Sequence, residues 1–262
     1  MKIHITEAQY KLLVEDVNSI PEIGKLANEV IEVFAEKNYS VVRRIQRGID
    51  DISFNSDSLN FKDIIFNVDS YSVLKDFIEN SSISITFRDN LPGRSRVKGN
   101  YDSGRVNIFY GDYFKDILKY QIGLYGDKEI NSSEAKWTFK IALGATFRST
   151  LIHELQHAYD DYRSSGKYAS DKKSKKYYSG RNSSIEKSDE EYKIYLTLPH
   201  EYWARFSQTV LDIFKEGIEF QELYDNFKRS SIMQFENLAD SDKRRLIKAL
   251  YGYWDLHIKN KG

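Results

Sequence analysis

Leu151-Ile152-His153-Glu154-Leu155-Gln156-His157-Ala158-Tyr159-Asp160 is the stretch from which the rest of the chain can be read. Taken as a helix, it puts His153 and His157 one turn apart on one face. Two imidazoles at that spacing can grip a single metal ion, and zinc is the usual occupant. Glu154 follows the first histidine directly, so its carboxylate can reach a water held by the same ion. A metal lowers the pKa of such a water, and a neighbouring carboxylate can then take its proton. Leu151, Ile152 and Leu155 give the helix an apolar face to bury, and Ser149 or Thr150 can cap its start.

The pattern is the HExxH signature of zinc metallopeptidases. It fixes only three positions and also arises by chance in unrelated helices. Histidine is scarce here, however: the chain has His4, His153, His157, His200 and His257, and two of the five fall in the motif. Cysteine is absent, so a zinc site must be built from histidine and carboxylate alone. A catalytic zinc usually takes three protein ligands and keeps a fourth position open. The residue six positions after His157, where a third histidine would indicate a metzincin, is Arg163. Asp160 and Asp161 sit about one turn beyond His157 on the same helix and suit hydrogen bonding to ligand rings better than ligation. Glu201 is the best candidate, because it lies on a separate helix and approaches from another direction. Ala204, one turn later, allows that helix to pack closely. His200 competes with Glu201, but adjacent helical residues point about 100° apart, so both cannot easily bind one ion.

Glu201-Tyr202-Trp203-Ala204 resembles the Glu-x-x-Ala helix of gluzincins. The wider pattern joins His153, Glu154, His157, Ala158, Asp160, Asp161 and Tyr162 to Glu201 and Ala204. It resembles the catalytic domain of the anthrax lethal factor family and related phage-encoded metallopeptidases, over roughly Ser149 to Phe206. The resemblance implies one zinc ion on His153, His157 and Glu201, with Glu154 as general base. It also implies a tyrosine just before the third ligand whose hydroxyl stabilises the oxyanion. Tyr195 is the nearest equivalent, though its spacing is not an exact match, and Tyr192 is the fallback.

Composition limits the other classes. With 262 residues, 40% hydrophobic and 30% charged, the chain can bury a sizeable core and has the polarity of a soluble protein. The formal net charge is zero, so no global field favours nucleic acid or a membrane. No apolar run approaches a membrane span, and Met1 to Glu7 lacks the apolar core of a secretory signal. The expected location at synthesis is a cytoplasm. The opening Ile5-Thr6-Glu7-Ala8-Gln9 looks like the starts of many tailed-phage proteins, which adds the virion as a second location.

Along the chain, Lys2 to Asn18 reads as a short amphipathic helix. Ser19-Ile20-Pro21 starts another, with Ile23, Leu26, Ala27, Val30, Ile31 and Phe34 at helical spacing. Ser40 to about Ile49 suits a further helix, in which Arg43, Arg44 and Arg47 form a solvated basic face. Phe61 to Val68 reads as a strand, and Asp69-Ser70 as the cap of a helix carrying Val73, Leu74, Phe77 and Ile78. Ile83 to Phe87 alternates as a half-buried strand. Val97–Tyr101 and Arg105–Tyr110 flank Asp102-Ser103-Gly104 as a hairpin. The second of these is the expected edge strand beside the cleft, where a peptide can add as a further strand. Gly111 to Gly126 holds a helix with Phe114, Ile117 and Leu118 on one side. Trp137 to Phe147 reads both ways: the alternation of Trp137, Phe139, Ile141 and Leu143 favours a strand, while the alanines and the direct run into the motif favour a helix, whose start is expected between Ala145 and Ser149. Tyr162 to Asp189 is basic and poor in aliphatic residues, as expected of a solvated loop or a substrate-steering lid. Helices follow from Pro199, over Phe220 to Phe227, and from Ser241 to about Leu256.

The expected fold is α+β and zincin-like: a small mixed sheet with an edge strand beside the HExxH helix, and a helical C-terminal part. Residues 1–57 form an N-terminal helical region, and 58–262 the metallopeptidase domain with a flexible loop at 162–189. The expected function is hydrolysis of peptide bonds in a peptide or protein substrate, with zinc as cofactor and no membrane or nucleic-acid partner. The alternatives are a non-catalytic phage structural or interaction protein on the same scaffold, and a zinc amidase acting on cell-wall peptide.

Overall fold

The structure is a computed structural model that describes residues 17–48, 58–65, 67–89, 99–102, 104–123, 132–165, 195–234 and 237–258. It is an α+β protein, mostly helical, with one mixed sheet of four strands. The chain divides into two compact units, Ile23–Ala158 and the combination of Met1–Glu22 with Tyr159–Gly262. Among the described residues no helix is long and apolar enough to cross a membrane. The expected opening helix, most of the basic loop, and Tyr192 lie outside the described residues.

In the unit Ile23–Ala158, helix α1 (Ser19–Lys37) follows its apolar spacing: Ile23, Leu26, Ala27, Val30, Ile31 and Phe34 are all buried. Helix α2 (Tyr39–Gln46) comes next and buries Val41 and Val42. Strand β1 (Leu59–Asn60) leads directly into a single helical turn, α3 (Phe61–Ile64). The strand expected over Phe61 to Val68 is therefore not formed. The Asn60 backbone N–H donates to the Asp63 carboxylate at 3.3 Å, and this capping contact starts a helix where the isoleucines favour a strand. A 3-10 turn, Val68–Ser70, then precedes α4 (Lys75–Asn80). Asp69 does not cap that helix, as the sequence suggested. It pairs with Lys75 at 2.7 Å, and this exposed contact holds its carboxyl below the ordinary range.

Strands β2 (Ser84–Asp89), β3 (Gly99–Asp102) and β4 (Arg105–Tyr110) complete the sheet in the order β1-β2-β4-β3. The expected hairpin is present: β3 and β4 are antiparallel, with Gly99 opposite Ile108 and Asp102 opposite Arg105. Gly104 turns the chain at a φ of +86°, a conformation glycine adopts without strain. The expectation that Arg105–Tyr110 is an edge strand is corrected. β4 is interior, paired in parallel with β2 on one side and with β3 on the other. Among the described residues the sheet has two edges, the short β1 and β3, and β3 is the one that approaches the motif helix at Gly99. The alternation of Val106, Ile108 and Tyr110 marks a strand with a buried face, and such a pattern cannot say which strand lies outermost.

Ile85, Phe87, Val106 and Ile108 form the apolar side of the sheet. Phe87 stacks on Phe34 of α1 with ring centroids 3.7 Å apart and meets Phe147 edge-on at 5.6 Å. Phe114 of helix α5 (Asp112–Gly123) closes the aromatic group against Phe147 at 4.6 Å.

Phe147 lies on the long helix α6 (Ser132–Arg163), which carries the HExxH motif. The strand suggested by Trp137 to Leu143 is thus a helix, starting well before Ala145. Phe139, Ala142 and Leu143 are buried while Trp137 and Ile141 are exposed. Apolar residues on two faces of the helix produce the false alternation.

The second unit is helical. Its core gathers Val17 and Ile20 with residues of α7 (Pro199–Ile213), α8 (Phe220–Lys228), α9 (Ser231–Gln234) and α10 (Asp240–His257). Phe206 stands in its middle, stacked on Trp203 at 5.0 Å and edge-on to Phe227 at 5.6 Å. Pro199 opens α7 in the first turn, where its missing N–H costs no hydrogen bond.

Candidate metal centre

The apolar face of α6 decides where the motif points. Leu151, Ile152, Leu155 and Ala158 are fully buried, which fixes the rotation of the helix. His153, Glu154 and His157 then share another side. His157 and Glu154 are buried, and His153 keeps partial exposure. The two imidazoles meet nearly perpendicular, at an interplanar angle of 84°, and their Nε2 atoms face each other at 3.0 Å. That separation is close to the span of two ligand atoms at about 2.0–2.1 Å from one tetrahedral ion.

Glu154 is held from the sheet side. Gly99 of β3 approaches so closely that a Cβ there would lie 2.6 Å from Thr150 Cγ2, 3.0 Å from Glu154 Cγ and 3.1 Å from Glu154 Oε1. Only a residue without a side chain fits without displacement. The edge strand and the carboxylate proposed as base are therefore in direct packing contact. Sequence reasoning missed Gly99 and Thr150 as parts of this neighbourhood. A lone glycine in a strand pattern was the available signal, since it often marks a close backbone approach.

Glu201 stands in the first turn of α7 and is fully buried. The Tyr195 hydroxyl donates a hydrogen bond to Glu201 Oε1. Ala204, one turn on, is likewise fully buried. His200 is buried beside Glu201, and burial raises the pKa of the Tyr202 hydroxyl on its other side. Asp160 and Asp161 end α6 with partial exposure.

One ligand atom each from His153, His157 and Glu201 lie within 4.8 Å of one another, close enough to bind one metal ion. His200 is not a member of that cluster. The donor set suits the group expected from the sequence: two neutral imidazole nitrogens and one carboxylate oxygen are a known zinc set that leaves a position open. A carboxylate removed from water is costly unless a hydrogen bond or a cation offsets it, and the buried Glu201 has the Tyr195 hydroxyl for the former.

Comparison of the chain with protein-family models, curated proteins and solved structures finds no match.

Proposed function

We propose that the protein is a zinc-dependent metallopeptidase of gluzincin type, and that His153, His157 and Glu201 hold the ion. The observation that carries this reading is the convergence of two imidazoles and one buried carboxylate, with a second carboxylate, Glu154, adjacent to the first imidazole. Zinc held there supplies a Lewis acid that polarises a carbonyl and lowers the pKa of water. The chain supplies the rest. Glu154 takes the proton from the attacking water and passes it to the leaving amine. Packing against Gly99 and Thr150 limits the directions in which its carboxylate can move. An extended peptide pairs with the outer side of β3, so that its backbone runs past Glu154. On this reading the substrate lies on β3 and not on β4, the strand the sequence suggested, because β4 is paired on both sides. The Tyr195 hydroxyl holds Glu201 Oε1 and so orients the third ligand.

The test combines metal analysis with hydrolysis. The purified protein is expected to carry one zinc per chain and to cleave unfolded protein, and Glu154→Gln to keep the zinc while losing about 10²–10⁴-fold in rate. Full activity in Glu154→Gln would exclude the mechanism. Zinc without hydrolysis of any peptide would leave a metal-binding protein that is not a peptidase. Cleavage of cell-wall peptide in preference to unfolded protein would make it an amidase.

A further inference from the structure

The first half of α6 presents an exposed, partly apolar stripe, away from the motif. Trp137 is 63% exposed and Ile141 49% exposed, and Ala145 on the next turn is exposed as well. At about 100° per residue, Glu134, Trp137, Ile141, Gly144, Ala145 and Arg148 fall within one arc of roughly 100°. His153 and His157 lie on the opposite side of the same helix. Next to the stripe, the polar side chains are engaged by their own chain: Lys140 pairs with Glu32 at 2.8 Å, and Lys136 lies 5.4 Å from the Tyr39 ring centroid.

Gly144 is a separate clue. Glycine inside a helix costs about 1 kcal/mol relative to alanine. A Cβ at Gly144 would meet nothing within 4 Å, so the fold itself gives no steric reason for it. A missing side chain on an open helix face permits close approach by something outside the chain.

We propose that this stripe is the contact of a two-fold dimer, and that its occupant is the same stripe of a second copy. The order of residues is self-complementary about Ile141. Glu134 and Arg148 lie seven residues to either side of it, and Trp137 and Ala145 lie four to either side. When two copies of α6 run antiparallel with the axis at Ile141, each residue meets its counterpart across that centre. Ile141 packs on the partner's Ile141. The indole of Trp137 covers the partner's Ala145, large against small, and Glu134 faces the partner's Arg148, opposite in charge. An isologous interface requires this reciprocity, since each contact must occur twice. A chance apolar patch has no reason to show it. Arg148 is placed for the pairing by its Nε donating to Asn28 Oδ1 at 2.9 Å.

The test is sedimentation velocity of the full chain across a concentration series. Wild type is expected to pass from monomer to dimer. Ile141→Glu places two like charges on the axis and is expected to raise the dimer Kd at least about tenfold, with an unchanged circular dichroism spectrum and, at concentrations where both proteins are monomeric, an unchanged melting temperature. Should that variant not fold, the charge cycle decides. Glu134→Arg and Arg148→Glu each weaken the dimer severalfold, and the doubly exchanged variant returns to within about twofold of wild type. Trp137 emission shifts to shorter wavelength as concentration rises, and the shift is absent in Trp137→Phe. A wild type that stays monomeric at every concentration overturns the proposal, including one that binds lipid vesicles instead. So does a dimer that survives both Ile141→Glu and the single charge reversals.

Discussion

Gly99 and Glu154 stand closer than any side chain at position 99 would allow: a Cβ there would be 3.0 Å from Glu154 Cγ and 2.6 Å from Thr150 Cγ2. The edge strand and the motif helix are thus fitted to each other at the residue proposed as base. Gly99→Ala is expected to cost about 1–3 kcal/mol through overpacking. Thr150 is β-branched and stiff, so the strain passes to β3 and to the Glu154 side chain. Hydrolysis should fall further than stability, because a displacement of about 1 Å can cost on the order of 10²-fold in rate. A denaturant titration alongside kcat/KM checks this. Equal activity in the variant would show that Glu154 does not depend on that contact.

Metal linkage gives a second expectation. Zinc at a free concentration about a hundred times its Kd raises stability by about 2.7 kcal/mol, a rise in melting temperature of roughly 5–10 °C for a chain of this size. Glu201→Gln and His157→Ala should each lose that increment. They should differ without metal. Glu201 is fully buried, so replacing its carboxylate with a neutral amide removes a desolvation cost. The metal-free Glu201→Gln protein is expected to melt no lower than metal-free wild type. Differential scanning calorimetry with and without chelator separates the two effects, and a zinc increment retained in Glu201→Gln would remove Glu201 from the ligand set.

Tyr195 entered the sequence reading as an oxyanion donor, on a resemblance whose spacing did not match. Its hydroxyl bonds Glu201, which points to a positioning role. Tyr195→Phe is then expected to weaken zinc binding by about 10–100-fold, as loss of a partner to a metal ligand typically does. At saturating zinc, much of the rate should return. An unchanged zinc affinity with kcat lowered about 10²–10³-fold would instead restore the oxyanion role.

The motif helix and its ligand candidates were legible because they depend on short-range periodicity. His153, Glu154 and His157 share a side whenever Leu151, Ile152 and Leu155 are buried, and one helix suffices to say so. Glu201 was legible for a different reason: a carboxylate early in a new helix, followed by a small residue at the next turn. Strand order was not legible. Arg105–Tyr110 has the same alternation whether it is flanked by one strand or two, and only long-range pairing with β2 and β3 places it inside the sheet. The start of α6 was misread because Trp137 and Ile141 are apolar without being buried, which mimics the two-residue period of a strand. Asn60 and Asp63 turned an isoleucine-containing segment into a helical turn through their capping contacts.

Phe206 tests how far the helical core supports the proposed third ligand. Its ring is fully buried between Trp203 and Phe227, on the helix that carries Glu201. Phe206→Ala removes that packing and leaves a cavity, at a cost of about 3–5 kcal/mol. Phe206→Leu keeps much of the volume and is expected to cost about half as much. Because α7 loses its main anchor about one and a half turns from Glu201, zinc affinity should fall with stability across the pair. Isothermal titration of zinc at a temperature where both variants remain folded measures this. A Phe206→Ala protein that is destabilised but binds zinc as wild type does would show that the first turn of α7 is fixed locally, by Pro199 and the Tyr195 hydrogen bond, and not by the core behind it.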